Sequence, residues 1–190
     1  MRKATRPHSS MTARALAILM AMLAAGLGAC AAGADEVALS TAVPPAVERQ
    51  TADMILVYKG QRVMHLMRDD KVLRSYQVAL GPQPEGHKRR EGDGRTPEGG
   101  YLIDWRNPNS SFHLSLHISY PRHQDRLSAM EAGLDPGGAI MIHGLPNGRS
   151  ADEVGHPKRD WTNGCIAVSN EEIEEIWRLI DDGTRIYILP

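Results

Sequence analysis

Cysteine is almost missing from this chain, with two in 190 residues. Cys30 stands at the end of the N-terminal leader and Cys165 far downstream, so a disulfide framework is excluded. A single Cys30–Cys165 bridge would tie a tail to a domain, and it is set aside for that reason. A basic excess is missing as well. The formal net charge is −1, and without the four basic residues of the leader 18 Lys and Arg face 23 Asp and Glu, a net of −5. Nucleic acid wants a basic face, so it is not an expected partner. No HExxH motif occurs, no repeat or heptad is visible, and neither a metal nor a cofactor is expected.

What is present begins with a leader. Arg2, Lys3, Arg6 and Arg14 are followed by the Ala-, Leu- and Met-rich stretch Ala15–Ala29. Those residues number fewer than the ~20 of a membrane span, and the pattern is that of a secretory signal over residues 1–30. Leu27-Gly28-Ala29-Cys30 resembles the bacterial lipoprotein box, in which the cysteine becomes the lipidated first residue. Cleavage after Ala32-Gly33-Ala34 is the competing reading. Ala31 stands where an inner-membrane retention signal would place Asp, which favours the outer membrane. The expected location is therefore the periplasm, with contact to the membrane only through a lipid on Cys30. Residues 31–52, rich in Ala, Pro and Val, read as a flexible tether.

From Asp53 to Pro190 the pattern is that of one domain, large enough for its own core. Met54–Tyr58, Arg62–Met67 and Val72–Leu80 are short runs of Val, Ile, Leu and Tyr separated by turn residues, a meander signature. Gly81–Gly99 is a long loop rich in Gly and Pro. Gly100–Trp105, Ser111–Tyr120, Ala139–His143, Cys165–Val168 and Thr184–Leu189 read as further strands. In Ser111–Tyr120 the alternation sends Phe112, Leu114, Leu116 and Ile118 to one face, and His113, Ser115, His117 and Ser119 to the other. One helix is well signalled over Asn170–Asp181. Ser169 and Glu172 make a capping box, and Ile173, Ile176, Trp177 and Ile180 make an apolar face. The expected class is mainly β, sandwich- or barrel-like, with one or two peripheral helices.

The chemistry concentrates in Thr162-Asn163-Gly164-Cys165-Ile166, with His143-Gly144 standing 22 positions before the cysteine. A thiol nucleophile needs a base to take its proton and backbone N–H groups to meet the oxyanion. His143, at the tip of an apolar strand, is the candidate general base. Gly144 permits a tight turn and close substrate approach, and Gly164 lets backbone amides face the scissile carbonyl.

In order and spacing these residues resemble the L,D-transpeptidase catalytic domain family. That family carries His-Gly, a loop, then Ser/Thr-His-Gly-Cys, an apolar residue and usually Arg. Gly92-Asp93-Gly94-Arg95-Thr96-Pro97-Glu98-Gly99 resembles its Thr-Pro-x-Gly segment, so the likeness runs from about Met54 to Pro190. The resemblance implies a cysteine acyltransferase acting on peptidoglycan stem peptides. It would form a thioacyl-enzyme on Cys165 at the third, diamino acid residue of a tetrapeptide and release D-Ala. An amine, from another stem or a lipoprotein lysine, or water then resolves it. Transpeptidase, L,D-carboxypeptidase and an amidase that frees peptidoglycan-linked lipoprotein thus share one chemistry. By position, Cys165 is nucleophile, His143 base and Gly164 an oxyanion donor. Thr162, Asn163, Gly144, His156 and Trp161 are substrate-side candidates. The chain departs from the family at Asn163, in place of the inner His, and at Ala167, in place of the Arg. Asn163 cannot act as a base. The loop of 18 residues between His143 and Thr162 is long.

Plainer readings compete. Cys165 could be an inert buried thiol in a non-catalytic peptidoglycan-binding lipoprotein. His156 could be a solvated loop residue, and Trp161 packing. His113 and His117 share a strand face but sit roughly 13 Å apart, too far to bind one metal.

Overall fold

The computed structural model describes residues 50–190. The leader, Cys30 and the tether up to residue 49 lie outside the described residues.

Three strands open the fold as a meander: β1 (Met54–Tyr58), β2 (Val63–Arg68) and β3 (Lys71–Gln77). The turn between β2 and β3 uses Asp69 and Asp70, both at positive φ, the left-handed geometry a two-residue hairpin requires. Ile55 and Val57 of β1 and Met64 and Leu66 of β2 are fully buried, so period-two alternation sets which face meets the core. β4 (Gly99–Ser110) and β5 (His113–Ile118) form a long hairpin, followed by α1 (His123–Glu131). Then come β6 (Met141–His143), the one-turn α2 (Ala151–Val154), β7 (Ile166–Ala167), α3 (Asn170–Leu179) and β8 (Arg185–Leu189).

All eight strands join one sheet in the order β3-β2-β1-β8-β4-β5-β6-β7. β8 runs parallel to β1 and antiparallel to β4, so the last strand of the chain holds the two hairpins together. The ends of the sheet meet. Ala79, just past β3, bridges Ala167 of β7 through reciprocal backbone hydrogen bonds of 3.0 and 2.8 Å. This contact joins the two outer ends of the sheet at one residue pair, so the mainly β fold is one sheet curled toward itself.

The interior is filled by Leu80, Ile103, Leu116, Ile118, Ile140, Ile142, Ile166, Ile186 and Ile188, together with Ile173 and Ile176 of α3. Each such side chain contributes about 1.5–3 kcal/mol through removal from water. α3 starts at the expected capping box: Ser169 N–H donates to Glu172 Oε2 (2.8 Å) and Glu172 N–H to Ser169 Oγ (3.2 Å). Among the described residues three helices are present rather than one or two. α1 left no amphipathic trace because it buries only Asp125 and Ala129, and α2 is too short to show a period. The alternation expected in β5 also breaks. His113, the first residue of β5, has φ +66, and Ser115, expected on the polar face, is 3% exposed. Its face is covered because Ser115 pairs with His143 of β6.

The long segment 81–99 is fixed by polar staples. Lys59 is buried and spends all three ammonium protons there, on Gly86 O (2.7 Å), Thr96 O (3.0 Å) and Glu98 Oε1 (2.8 Å). Burial pulls its pKa down, and Glu98 opposes that by favouring the charged form.

Candidate active site

The cysteine loop is shaped by close backbone approach. Gly164 has φ +112, and a Cβ there would lie 2.4 Å from the Arg95 carbonyl oxygen. A Cβ on Gly81 would lie 2.2 Å from Gly94 O and 3.0 Å from Gly164 N. Three glycines thus let segment 81–99 and the cysteine loop pack main chain against main chain, which no other residue permits. Thr162 is 5% exposed and ties the loop internally. Its hydroxyl donates to Cys165 O (2.8 Å) and accepts from Gly164 N–H (3.1 Å), while its own N–H reaches Leu80 O (3.0 Å). The Gly164 amide, the expected oxyanion donor, therefore already has a partner inside the loop. Upstream, Asp160 takes Leu80 N–H (2.9 Å) and the Arg62 guanidinium through both carboxylate oxygens.

β6 and β7 run parallel, with Ile142 opposite Ile166 and His143 opposite Ala167. Paired residues share a face, and Cys165, two residues before Ala167, returns to the face of His143. The cysteine Sγ points at Ala139 O (3.6 Å), and Ala139 is itself held at φ +52. A non-glycine in that region costs about 1–2 kcal/mol, the kind of strain that gathers at functional sites.

His143 is 3% exposed and sits among rings, 4.4 Å from Phe112 and 5.6 Å from Trp161 between centroids. Its Nδ1 lies 2.7 Å from Gly144 O. A carbonyl can only accept, so Nδ1 carries the proton and Nε2 keeps its lone pair. Burial lowers the His143 pKa to about 4; the Gly144 carbonyl opposes this, and His156 adds to it. The imidazole is neutral at pH 7. Burial pushes the Cys165 thiol up, against a Met141 backbone hydrogen bond and the positive charge of Lys88, which both pull it down. Burial thus favours the neutral form of both the thiol and the imidazole that line this site. Gly144 backs the histidine: a Cβ there would lie 2.7 Å from Asn170 Oδ1, which accepts Leu145 N–H (2.9 Å).

Cys165 and His143 open into one cavity of about 740 Å³, shared with Thr162, Asn163 and Trp161. His156 stays outside it, buried near His143 with its Nδ1 unpartnered and its pKa lowered by burial. His113 and His117 take separate carboxylates, Glu174 (2.7 Å) and Asp104 (2.5 Å). Among the described residues no three His, Cys, Asp or Glu are grouped to hold a metal. Sequence reasoning missed Lys88, Phe112, Ala139 and the Arg62–Asp160 anchor. Only Lys88 left a trace there, a lysine in a long loop rich in glycine.

Known proteins resemble this chain in sequence and fold. Residues 52–188 match the family model described as YkuD, L,D-transpeptidase catalytic domain. The chain is 27% identical over 180 residues to YafK of Escherichia coli strain K12, named as a candidate L,D-transpeptidase, across 88% of this chain and 64% of that one. The helical cell shape determining protein Pgp2 from Campylobacter jejuni superposes with a TM-score of 0.55 at 25% identity, over 71% of this chain and 46% of its own. Bd1075 of Bdellovibrio bacteriovorus shares the fold, with a TM-score of 0.51 at 24% identity over 76% of this chain and 50% of its own. The chain therefore spans less than two thirds of YafK and about half of each solved protein.

Proposed function

The chain belongs to the L,D-transpeptidase catalytic domain family, and we propose that it is a peptidoglycan-acting cysteine acyltransferase with Cys165 as nucleophile and His143 as base. The observation that carries this reading is the parallel β6–β7 register, which brings the two side chains to one cavity. His143 Nε2 takes the thiol proton as Sγ attacks the carbonyl of the third residue of a tetrapeptide stem. The oxyanion meets the Cys165 N–H, the Gly164 N–H being held by Thr162. The imidazolium returns its proton to the departing D-Ala amine, leaving a thioester. An incoming amine or water then loses its proton to His143 and releases the acyl group. Because the ground state is neutral, the proton moves with the attack and not before it.

The test is mass spectrometry of the protein with purified tetrapeptide muropeptides, with Cys165→Ala alongside. Cys165-dependent loss of D-Ala with crosslinked dimers marks transpeptidation; loss without dimers marks a carboxypeptidase. Silence on stems with cleavage of lipoprotein-linked muropeptides marks the amidase. No Cys165-dependent product in any arm would leave a binding lipoprotein and sink the enzyme reading. The proposal includes export to the periplasm and anchoring to the outer membrane through lipid on Cys30. Incorporation of a labelled fatty acid that is lost in Cys30→Ala supports it; equal labelling, or none in either chain, refutes it.

A further inference from the structure

The cavity that holds Cys165 and His143 is lined by one lysine or arginine, the buried Lys88, and by one carboxylate, the exposed Glu91. The Lys88 side chain is 3% exposed, although its loop is otherwise rich in exposed arginine. Nζ donates to Arg90 O (3.0 Å) and Asp93 Oδ1 (3.0 Å). An ammonium has three protons, so one remains unspent beside the cavity, whereas Lys59 in the same region spends all three.

Asp93, the ion-pair partner of Lys88 at 3.0 Å, does not line this cavity; it lines a neighbouring one with Arg89, Arg90 and Arg95. Its carboxylate is also shared among the N–H groups of Arg89 (2.8 Å), Arg90 (3.1 Å) and Arg95 (3.1 Å). The field of Lys88 reaches the catalytic sulfur, where it favours the thiolate. No cation comes from the cysteine strand, because position 167 is an alanine, fully buried and pinned against Ala79.

Resting on the functional reading above, we propose that Lys88 forms a carboxylate-binding subsite of the catalytic cavity, holding the free C-terminal carboxylate of the peptide whose last residue leaves. The leaving residue then sits between Cys165 and Lys88, and a chain that continued past it would bury an unpaired lysine under its backbone. The subsite makes the protein selective for removing or exchanging a terminal residue. The ammonium keeps its proton throughout and takes no part in bond making. Lys88 also fastens its own loop, so the test must separate the two roles.

The experiment compares a synthetic tetrapeptide stem bearing a free C-terminal carboxylate with the same stem as its carboxamide. Wild-type protein, Lys88→Met and Lys88→Arg are assayed on both, with thermal melts of each. In the wild type, amidation should cut kcat/KM roughly 10- to 100-fold, mostly through KM, the range of a lost charge-assisted hydrogen bond. Lys88→Met should turn over acid and amide alike, and Lys88→Arg should restore the preference. A wild type indifferent to amidation overturns the subsite without touching the functional reading. So does an undiminished preference in Lys88→Met. If the wild type shows no Cys165-dependent turnover of the acid stem, the functional reading fails and the subsite fails with it.

Discussion

The two ends of this sheet are held by different physics. In β1, β2 and β8 buried residues alternate with partly exposed ones, the ladders are long, and side chains such as Ile55, Leu66 and Ile186 are fully buried. β6 and β7 have three and two residues. Their stability comes from outside the ladder: glycine-to-glycine backbone packing, the Thr162 hydroxyl, and an ion pair between Arg62 and Asp160, 98 positions apart. The regular end tolerates change in proportion to the area lost. The cysteine end, the proposed catalytic one, depends on a few contacts that fix where one sulfur and one nitrogen stand.

The sharpest way to break the comparison is an alanine in place of a glycine at each end. Gly164→Ala meets the Arg95 carbonyl at 2.4 Å and a φ of +112, whereas Gly60→Ala meets only Pro190 at 3.8 Å. The first should cost about 3 kcal/mol or more and abolish Cys165 turnover, the second under about 0.5 kcal/mol. Chemical denaturation with an activity assay checks both.

Acid should reveal the cysteine end next. The folded state holds His143 at about 4, against 6.5 in the unfolded chain. The unfolded state therefore binds the extra proton first, and stability falls as pH drops from about 6.5 to about 4. The loss is about 3 kcal/mol when complete. Denaturation midpoints at pH 7 and pH 4 should differ accordingly, and His143→Gln should flatten this part of the slope. The acid limb of the pH–rate profile should likewise lie well below the ordinary histidine range. A limb near 6.5 would mean that burial does not hold the titrating base below the ordinary histidine range.

A smaller effect is expected at the anchor. Asp160→Asn removes the charge that holds Arg62 and should cost about 1.5–3 kcal/mol. Hydrogen exchange should quicken at the amides of Leu80 and Thr162 while β1 and β8 stay protected. Smallest is Thr162→Val, which loses two hydroxyl hydrogen bonds at about 1 kcal/mol each. It should slow acylation of Cys165 more than it lowers the melting point, and Thr162→Ser should recover both.

Much of the regular end could be read from residue order. Short apolar runs between turn residues located β1, β2 and β8, and the Ser169–Glu172 box located α3, because both signals are local. The candidate pair was legible for another reason: His143-Gly144 and Gly164-Cys165 each join a reactive side chain to a backbone freedom. α1 was not legible because its residues carry no apolar stripe. Ser115 was misassigned because its exposure depends on β6, a strand 26 positions further on.

Taken alone, then, the amino-acid order determined the apolar strand runs, the capped helix, the family motif and the two residues proposed to react. Each of these signals is carried by a few neighbouring residues. Only the tertiary structure decided that the sheet curls toward itself, that Asp160 finds Arg62, that the Gly164 amide is taken by Thr162, and that Lys88 shares the cavity of Cys165. Apart from the short-range Thr162 contact, these bring together segments tens of residues apart. Strand order and loop closure, and no local pattern, select such contacts.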